Sequence, residues 1–236
     1  MAKRGATLSI DIGGSGLKMM VLDREGVPVN ERHRVATPRP ARPKAVLKAL
    51  LDLVEVQPSF DRVSVGFPGV VVDNTIMSAP NLDGEWTGFP LAREIELRTE
   101  RMVRIANDAD VQGLGAIEGE GVEMVLTLGT GMGSALFVDG KLVPNLELGH
   151  HVFHKRTSYE EYVGNQAFKK VGLKRWSKRV LKVVETIQPI WNPHVIYLGG
   201  GNAKRLKIPL PSNIRVVSNI AGLIGGVRLW EHCAHS

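Results

Sequence analysis

A central apolar stretch interrupted by three alternating glycines constrains the fold of this chain more than any other feature. It runs from Val125 to Leu136 with the sequence Val-Leu-Thr-Leu-Gly-Thr-Gly-Met-Gly-Ser-Ala-Leu. The pattern predicts a strand, a tight turn and a second strand. Because glycines tolerate positive φ and lack a Cβ, a bulky anion such as phosphate can approach the backbone amides of this turn closely. Thr130 and Ser134 add hydroxyl groups.

A similar glycine-rich turn lies near the start of the chain. The apolar segment from Thr7 to Ile12 contains Asp11 and continues into Gly-Gly-Ser-Gly at 13–16, after which Lys18 and the apolar run 19–22 follow. One such turn alone is more often a plain hairpin connection, and neither copy has the spacing of a dinucleotide-binding loop or a P-loop. The pair instead favours two half-domains that face one phosphate chain.

Length and composition limit the choice of protein class. The chain has 236 residues, 43% of them hydrophobic, which is enough for two modest lobes with separate cores. No apolar run approaches the roughly 20 residues of a membrane span, and the N-terminal residues lead directly into a strand, so we expect a cytoplasmic protein with no membrane partner. The single cysteine, Cys233, excludes an internal disulfide and a multi-cysteine zinc site. The net charge of +6 suits a nucleic acid, an anionic substrate or merely a basic surface.

Polar residues follow two short apolar segments that we predict to be strands. The segment 61–67 ends in a turn that contains Gly69, and the segment 103–106 runs into Asn-Asp-Ala-Asp at 107–110. Ligands tend to gather at such strand ends. A carboxylate there is often only a helix cap, but an amide followed by a carboxylate can also hold a hydroxyl and accept its proton. The residues alone leave both roles open for Asp108.

Two segments in the second half of the chain also suggest ligand contacts. Glu147 and His150 lie three residues apart around Gly149, where both side chains can turn toward one small polyol. A metal site is the alternative, but there is no cysteine cluster or second Glu/His cluster to complete it. A predicted strand over 195–198 ends in three glycines at 199–201, a junction suited to close approach of a nucleotide or a phosphate tail.

The densest basic segment covers residues 169–179, Lys-Lys-Val-Gly-Leu-Lys-Arg-Trp-Ser-Lys-Arg. Its cations and Trp176 suit an extended polyanion or a nucleic acid, whereas a solvated helix face explains the cations equally well. No recognised nucleic-acid-binding module accompanies the segment, so we expect no nucleic-acid partner.

The remaining elements are predicted from periodicity and from turn residues. They are a third strand over 27–34, helices over 44–56, 91–99, 111–118, 159–170 and 180–190, a strand over 214–217 and a closing helix over 221–230. A polar loop, Asn-Leu-Asp-Gly-Glu-Trp at 81–86, precedes the second of these helices.

The order of these motifs resembles that of the ROK family of sugar kinases, within the actin-like ATPase superfamily. The motifs are Asp-x-Gly-Gly-Ser-Gly at 11–16, Asn-Asp at 107–108, the glycine turn at 128–134, Glu-Leu-Gly-His at 147–150 and Leu-Gly-Gly-Gly at 198–201. Each is weak to moderate alone, but together they span nearly the whole chain in the family's order. The Gly-Ser-Gly-x-Lys form of the first turn, the Asn-Leu-Asp-x-x-Trp segment and the short length are most similar to the polyphosphate glucokinases of that family.

The resemblance implies an α/β protein with the two-lobed actin-like ATPase (ribonuclease H-like) fold and a ligand cleft between the lobes. Residues 1–107 would form the N-terminal lobe, with the C-terminal helix 221–232 packed on it, and residues 108–220 the C-terminal lobe. The implied activity is phosphorylation of the 6-hydroxyl of glucose by polyphosphate, ATP or both, with Mg²⁺ as cofactor. A catalytically inactive sugar-binding or regulatory protein of the same family is the alternative.

The resemblance also implies roles for individual residues. Asp108 would be the general base that takes the proton of the attacking sugar hydroxyl, and Asp11 would position Mg²⁺ through water. The residues implied to bind the sugar are Gly69, Asn81, Asn107, Glu147, His150 and Glu160. Those implied to enclose the phosphates are Asp11, Gly13, Gly14, Ser15, Gly16, Lys18, Gly129, Thr130, Gly131, Gly133, Gly200 and Gly201.

Three departures from the family pattern change what we expect. The cysteine-rich zinc loop of many members is absent, and His151, His154 and Lys155 stand in that region, so we predict no structural zinc. Asp110 replaces the second asparagine of the family's Asn-Asp-Ala-Asn, so that it either caps the helix or perturbs the neighbouring base. Only six residues precede Thr7, so we do not expect the helix-turn-helix of the family's sugar-responsive repressors. Members of the family commonly dimerise, which leaves a homodimer as an open expectation.

Overall fold

The computed structural model describes residues 5–218 and 220–232, so that Cys233 lies outside the described residues. The chain divides into two compact units. The first comprises Met1–Gly115 and Gly222–Ser236, and the second Ala116–Ala221. The first unit therefore continues past the predicted boundary at residue 107, because the helix that begins at Asp108 packs on the sheet of that unit.

The first unit contains a mixed five-stranded sheet. Its elements are β1 (Thr7–Gly13), β2 (Gly16–Leu22), β3 (His33–Val35), α1 (Pro43–Val54), β4 (Arg62–Phe67), β5 (Val71–Val72), β6 (Thr75–Ile76), α2 (Leu91–Thr99), β7 (Met102–Asn107) and α3 (Asp108–Leu114). The strand order is β3-β2-β1-β4-β7. The first two strands form an antiparallel hairpin, as predicted, whereas β1, β4 and β7 run parallel.

Alternation along β1 explains the core of this unit. Leu8, Ile10 and Ile12 are buried and belong to one apolar cluster. The same cluster includes Val46 and Leu50, the buried residues of α1. Burial of such side chains contributes about 1.5–3 kcal/mol each, so this alternating face fixes the register of the hairpin.

The second unit contains another five-stranded mixed sheet. Its elements are β8 (Val122–Leu128), β9 (Met132–Val138), β10 (Lys141–Val143), β11 (Val152–His154), β12 (Thr157–Ser158), α4 (Tyr159–Val163), α5 (Asn165–Trp191), β13 (Val195–Gly199) and β14 (Ile214–Val216). The strand order is β10-β9-β8-β13-β14. The central hairpin β8–β9 is antiparallel, as predicted, and β13 runs parallel to both of its neighbours.

The long helix α5 covers one side of the second core. Trp176 is fully buried there, its indole nitrogen donates to the carbonyl of Val163 at 2.6 Å, and its ring meets that of Phe168 edge-on. A kink divides the helix at Gly172, whose φ of 75° is non-helical. The basic segment 169–179 therefore straddles a break in the helix.

A closing helix, α6 (Ala221–His232), returns to the first sheet. Leu223 and Val227 form a small apolar cluster with two residues of β2. Ser64 of β4 donates to the carbonyl of Gly226 at 2.5 Å and accepts from the indole nitrogen of Trp230 at 2.8 Å. These bonds anchor the helix to the sheet at a buried polar position.

Several predicted element boundaries were wrong for local reasons. The predicted strand over 27–34 is reduced to β3, because the side chain of Asn30 accepts the amide of Val21 at 2.8 Å beside the isolated bridge at Pro28. The predicted helix over 159–170 is interrupted at Gly164, which separates α4 from α5. The helix predicted over 180–190 is the second part of α5.

Among the described helices, none combines the length and apolar character needed to cross a membrane.

Candidate active site

The parallel strands of the first unit bring two acidic residues, both predicted to belong to the active site, to the same end of the sheet. Asp11 on β1 pairs with Gly66 on β4, which in turn pairs with Ala106 on β7. Asp108 follows directly after β7, and a Cβ built on Gly66 would lie 3.4 Å from its Cα. The candidate base and the candidate metal ligand therefore lie toward the carboxyl ends of β7 and β1, the two strands that flank β4, where α/β sheets commonly bind ligands.

The side chain of Asn107 fixes the backbone that carries Asp108. Its Oδ1 accepts the amides of Ala109 at 2.8 Å and of Asp110 at 3.3 Å, which makes it the N-cap of α3. Its Nδ2 donates to the carbonyl of Gly69 at 3.1 Å. The cap is thus Asn107 rather than Asp110, which is buried in the first turn of the helix. Sugar binding by Asn107 and Gly69 stays a prediction.

The turn between β1 and β2 contains Gly14 and Ser15, and the neighbouring Asp11 is paired with Lys18. Lys18 Nζ lies 2.6 Å from Asp11 Oδ2, and both side chains are partly exposed. Asp11 thus presents a carboxylate beside the predicted phosphate turn, with one oxygen engaged by the ammonium group. Because Mg²⁺ is usually held by one or two carboxylates with water and substrate phosphates, this donor set fits a water-mediated Mg²⁺ site. Among the described residues no group of three or more His, Cys, Asp or Glu side chains is arranged to hold a metal ion.

The loop 81–86 is anchored by its later residues. Asp83 Oδ2 accepts the amide of Ala41 at 2.7 Å, and the buried indole nitrogen of Trp86 donates to the carbonyl of Ala41 at 3.1 Å. The ring of Trp86 also packs 5.1 Å from that of Phe67. Asn81, the predicted sugar ligand, is exposed at the start of this anchored loop, and its role stays a prediction.

The glycine turn between β8 and β9 is tied to two asparagines. The backbone amide of Asn165 donates to the carbonyls of Gly129 and Thr130 at 3.0 and 3.1 Å, and Asn202 Nδ2 donates to the carbonyl of Gly129 at 3.3 Å. The amide of Gly129 donates to the carbonyl of Gly131, and that of Gly133 donates to a threonine hydroxyl within the sheet. Since the amides of Gly129 and Gly133 are already bonded within the protein, the amides of this turn that we predict to contact phosphate are those of Thr130 and Gly131.

Gly200 follows β13 with a φ of 82°, and a Cβ on it would lie 2.5 Å from the carbonyl oxygen of Leu128. Close packing against the end of β8 therefore requires this glycine. Gly201 is exposed, and a Cβ there would meet nothing within 4 Å. Phosphate binding by the two glycines stays a prediction.

The structure brings Glu147, His150 and Glu160 together. His150 Nε2 lies 3.1 Å from Glu147 Oε2, and His150 Nδ1 lies 3.3 Å from Glu160 Oε1. A neutral imidazole has one N–H and donates to only one of these carboxylates, whereas an imidazolium donates to both. Burial raises the pKa of the Glu147 carboxyl, and the negative charge of Glu160 acts in the same direction against the opposing effect of His150.

Two small features keep this acidic cluster in place. A Cβ on Gly131 would lie 2.1 Å from Glu160 Oε2, so only glycine lets the carboxylate pack against the turn. Ser134 Oγ donates to the carbonyl of Leu146 at 2.5 Å and accepts the amide of Leu148 at 3.2 Å. Ser134 is buried, so the interpretation of its hydroxyl as a phosphate contact was wrong; it instead holds the backbone on either side of Glu147.

The candidate site residues are shared between the two units. The first unit carries Asp11, the first glycine turn, Lys18, Gly69, Asn81, Asn107 and Asp108, and the second carries the second glycine turn, Glu147, His150, Glu160, Gly200 and Gly201. Each unit carries its own set of candidate residues, and the cleft between lobes stays a prediction.

The basic segment has two kinds of residue. Lys169, Lys170, Lys174, Arg175 and Lys178 are exposed. Arg179 is half-buried, since its guanidinium donates to the carbonyl of Tyr162 at 3.2 Å and lies over the ring of that residue. Because Trp176 is buried, the interpretation of its ring as a surface for a polyanion or a nucleic acid was wrong.

Known proteins are similar to this chain in both sequence and fold. Residues 7–165 match the ROK family. The polyphosphate glucokinase of Mycobacterium leprae (strain TN) is 33% identical over 234 residues, covering 92% of this chain and 72% of that protein. For the polyphosphate glucokinase of Mycobacterium tuberculosis (strain ATCC 25618 / H37Rv) the identity is again 33% over 234 residues, covering 92% and 88%. The crystal structure of an inorganic polyphosphate/ATP-glucomannokinase from Arthrobacter sp. strain KM matches with a TM-score of 0.87 and 31% identity, covering 96% of this chain and 98% of that chain.

These matches and the two mixed sheets define an α/β protein with the actin-like ATPase fold, as predicted. The chain belongs to the ROK family.

Proposed function

We propose that this protein is a sugar kinase that transfers a phosphoryl group from polyphosphate or ATP to the 6-hydroxyl of glucose. Its relatives at 33% identity are named polyphosphate glucokinases, and a similar solved structure is named a polyphosphate/ATP-glucomannokinase. The proposed partners are therefore small molecules, namely the sugar and the phosphoryl donor. A cytoplasmic location, where both are available, goes with this proposal.

The observation that carries the proposal is the His150 ring held between the carboxylates of Glu147 and Glu160. Three polar side chains converge beside the second glycine turn, where Glu160 packs against Gly131. Carboxylates accept hydrogen bonds from sugar hydroxyls, and a histidine can donate or accept. Such a cluster suits a polyol that lies close to a phosphate-binding turn.

The proposed reaction is a direct displacement at phosphorus. Asp108 accepts the proton of the glucose 6-hydroxyl, the freed oxygen forms a bond to the terminal phosphorus of the donor, and the bond from that phosphorus to the bridging oxygen breaks. The leaving group is ADP or a polyphosphate shorter by one unit. The N-cap bond of Asn107 supports this role, because it fixes the backbone that presents the Asp108 carboxylate.

The two glycine turns would hold the phosphates through backbone amides, with Lys18 as a neighbouring positive charge. Asp11 would hold Mg²⁺ through water, and the ion would supply neutralisation of the phosphate charge during transfer. Positioning and charge neutralisation account for most of the catalysis in phosphoryl transfer, so these groups need only be held in place.

A matrix of donors and sugars on the purified protein tests this function. We expect glucose 6-phosphate, measured by a coupled dehydrogenase assay, from glucose with polyphosphate or with ATP in the presence of Mg²⁺. Omission of Mg²⁺ should remove the activity. Absence of turnover with every donor and sugar, in protein that still binds glucose, would leave the inactive sugar-binding protein as the better description.

Neutralising the exposed cations of the basic segment tests its role in donor choice. We expect Lys174, Arg175 and Lys178, all replaced by Gln, to raise the KM for long-chain polyphosphate about tenfold and to change the KM for ATP little, because a long polyanion has many more phosphates than ATP along which to contact these cations. Arg179 is left intact because of its contacts with Tyr162.

The matched control removes three exposed positive charges of the first unit, Arg32, Lys44 and Arg98. This variant has the same net charge as the test variant. An equal rise in KM for both donors in the test variant, or the same rise for polyphosphate in the control, would reject a polyphosphate site on this segment. A larger effect at low salt than at high salt is also expected.

A further inference from the structure

The turn between β1 and β2 is held from outside by side chains of a segment that the sequence shows only as a proline-rich loop. Thr37 Oγ1 donates to the carbonyl oxygen of Gly13 at 2.5 Å. Arg39 Nη2 donates to the carbonyl oxygen of Gly14, also at 2.5 Å. Two consecutive carbonyls of the candidate phosphate turn therefore face donors from one short segment.

Arg34 on β3 adds a weaker contact on the same turn. Its Nη2 lies 3.5 Å from the carbonyl oxygen of Ser15, at the limit of a hydrogen bond. A Cβ on Gly16 would lie 2.8 Å from Arg34 Nε, so the guanidinium rests against the glycine backbone. Arg34 covers the turn, but its hydrogen bond is longer and therefore weaker than those of Thr37 and Arg39.

Because the peptide group is planar, a hydrogen bond to a carbonyl oxygen also sets the direction of the N–H of the next residue. In a trans peptide the N–H points opposite to the carbonyl of the preceding residue, because the group is planar. The bonds to the carbonyls of Gly13 and Gly14 therefore direct the N–H groups of Gly14 and Ser15 away from Thr37 and Arg39. Amides that bind a phosphate must converge on it, and these two bonds act on the peptide planes at the tip of the hairpin, beyond its last strand pair Gly13–Gly16.

The same segment is fixed at its other end to the loop 81–86. Arg39 Nη1 lies 3.8 Å from Asp83 Oδ2, and that carboxylate also accepts the amide of Ala41. Trp86 donates to the carbonyl of Ala41. Segment 37–41 is thus bonded both to the candidate phosphate turn and to the loop that carries the predicted sugar ligand Asn81.

We propose that Thr37 and Arg39 are positioning residues for the phosphoryl donor, which hold the amides of the first glycine turn in their phosphate-binding orientation. The proposal rests on the proposed function of that turn. Neither side chain needs to touch the donor, because each acts through a backbone carbonyl. Loss of either bond should therefore weaken every donor that the turn binds, whatever the length of its phosphate chain.

Two substitutions at Thr37 separate its hydroxyl from its packing. The residue is 5% exposed. Thr37→Val keeps the shape and removes the hydroxyl, whereas Thr37→Ser keeps the hydroxyl and removes a methyl group. We expect Val to raise the KM for ATP and for polyphosphate about three- to tenfold, the usual effect of one lost hydrogen bond, with no change in the KM for glucose. Ser should stay close to wild type. The reverse ranking would show a packing role and overturn the proposal.

Arg39→Ala provides a second test, with Lys44→Ala as the control because Lys44 is an exposed cation on the adjoining helix α1. We expect the Arg39 variant to raise the KM for both donors equally and the Lys44 variant to change neither. An effect on polyphosphate alone would indicate direct contact with a long chain and contradict positioning, as would no effect at all. Circular dichroism and thermal melts confirm that each variant is folded.

Binding of tripolyphosphate, measured by calorimetry, keeps this test separate from that of the function. If wild-type protein turns over no donor, the proposed function fails, and the binding constants of the Thr37 and Arg39 variants still decide whether these residues set anion affinity. If wild-type protein is active but the variants bind and use the donors normally, only the present inference fails.

Discussion

The Asp108→Asn variant should phosphorylate glucose about 10²- to 10⁴-fold more slowly than the wild type, with glucose affinity nearly unchanged. The substitution keeps the size and shape of the side chain but removes its ability to accept a proton, and general bases contribute rate factors of this order. Because the N-cap of α3 is Asn107, the helix that begins at residue 108 keeps its hydrogen-bonded start. Turnover numbers and calorimetric glucose titrations measure the two quantities.

Asp52→Asn is the control for this variant, since Asp52 is an exposed carboxylate whose ion pair with Lys48 contributes little. Unaltered turnover in the Asp108 variant would show that another group takes the proton. Loss of glucose binding together with turnover would instead assign Asp108 to substrate positioning. In the alternative of an inactive sugar-binding protein, the substitution would have no turnover to remove.

Glu123→Ala should lower the free energy of unfolding by about 3 kcal/mol, the largest stability effect that we expect from a single polar residue. The Glu123 carboxylate is fully buried and accepts the amides of Glu118, Gly119 and Glu120 at 2.8, 2.7 and 3.2 Å. It also accepts the hydroxyl of Tyr197 at 2.7 Å. Alanine leaves these donors without their acceptor. Urea unfolding of the variant measures the loss, and Glu120→Ala, which removes an exposed carboxylate from the same segment, should cost little.

The stabilisation by Glu123 should also depend on pH. Burial acts to raise the pKa of this carboxyl, but the hydrogen bonds from the backbone of Glu118 to Glu120 and from Tyr197 outweigh it and hold the pKa below its ordinary value of 4.5. The pKa of Glu123 is lower in the folded chain than in the unfolded chain. The stabilisation is therefore complete at pH values above the pKa of the unfolded chain, and it is lost as the pH falls through the pKa of the folded chain. The difference in unfolding free energy between wild type and Glu123→Ala should therefore shrink below about pH 4.5; a difference that grows on acidification would contradict this account.

The sequence was sufficient where a role depends on local pattern. Apolar runs interrupted by glycine-rich turns predicted both hairpins, and the resemblance to the family placed Glu147, His150 and Glu160 in one candidate site, where the structure brings them within hydrogen-bonding distance. Such motifs can be identified in a sequence because close packing, as of Glu160 against Gly131, favours a glycine at that position.

Roles that depend on tertiary partners could not be predicted. Thr37 and Arg39 stand in a loop without periodicity, and only the folded chain shows that they contact the first turn. Trp176 lies among cations, so its sequence context indicated a surface, whereas its indole nitrogen bonds to a carbonyl in the core. The helix predicted over 111–118 instead runs from Asp108 to Leu114, because the cap at Asn107 adds a polar first turn before Val111.

The double use of the Asn107 amide has a consequence for internal motion. One planar group joins the first turn of α3 to the turn after β4, because its oxygen bonds to Ala109 and its nitrogen to Gly69. Displacement of either segment must stretch or rotate the shared amide. The fluctuations of the candidate base and of the Gly69 carbonyl should therefore be correlated in amplitude and phase, so that the distance between them varies less than the position of either.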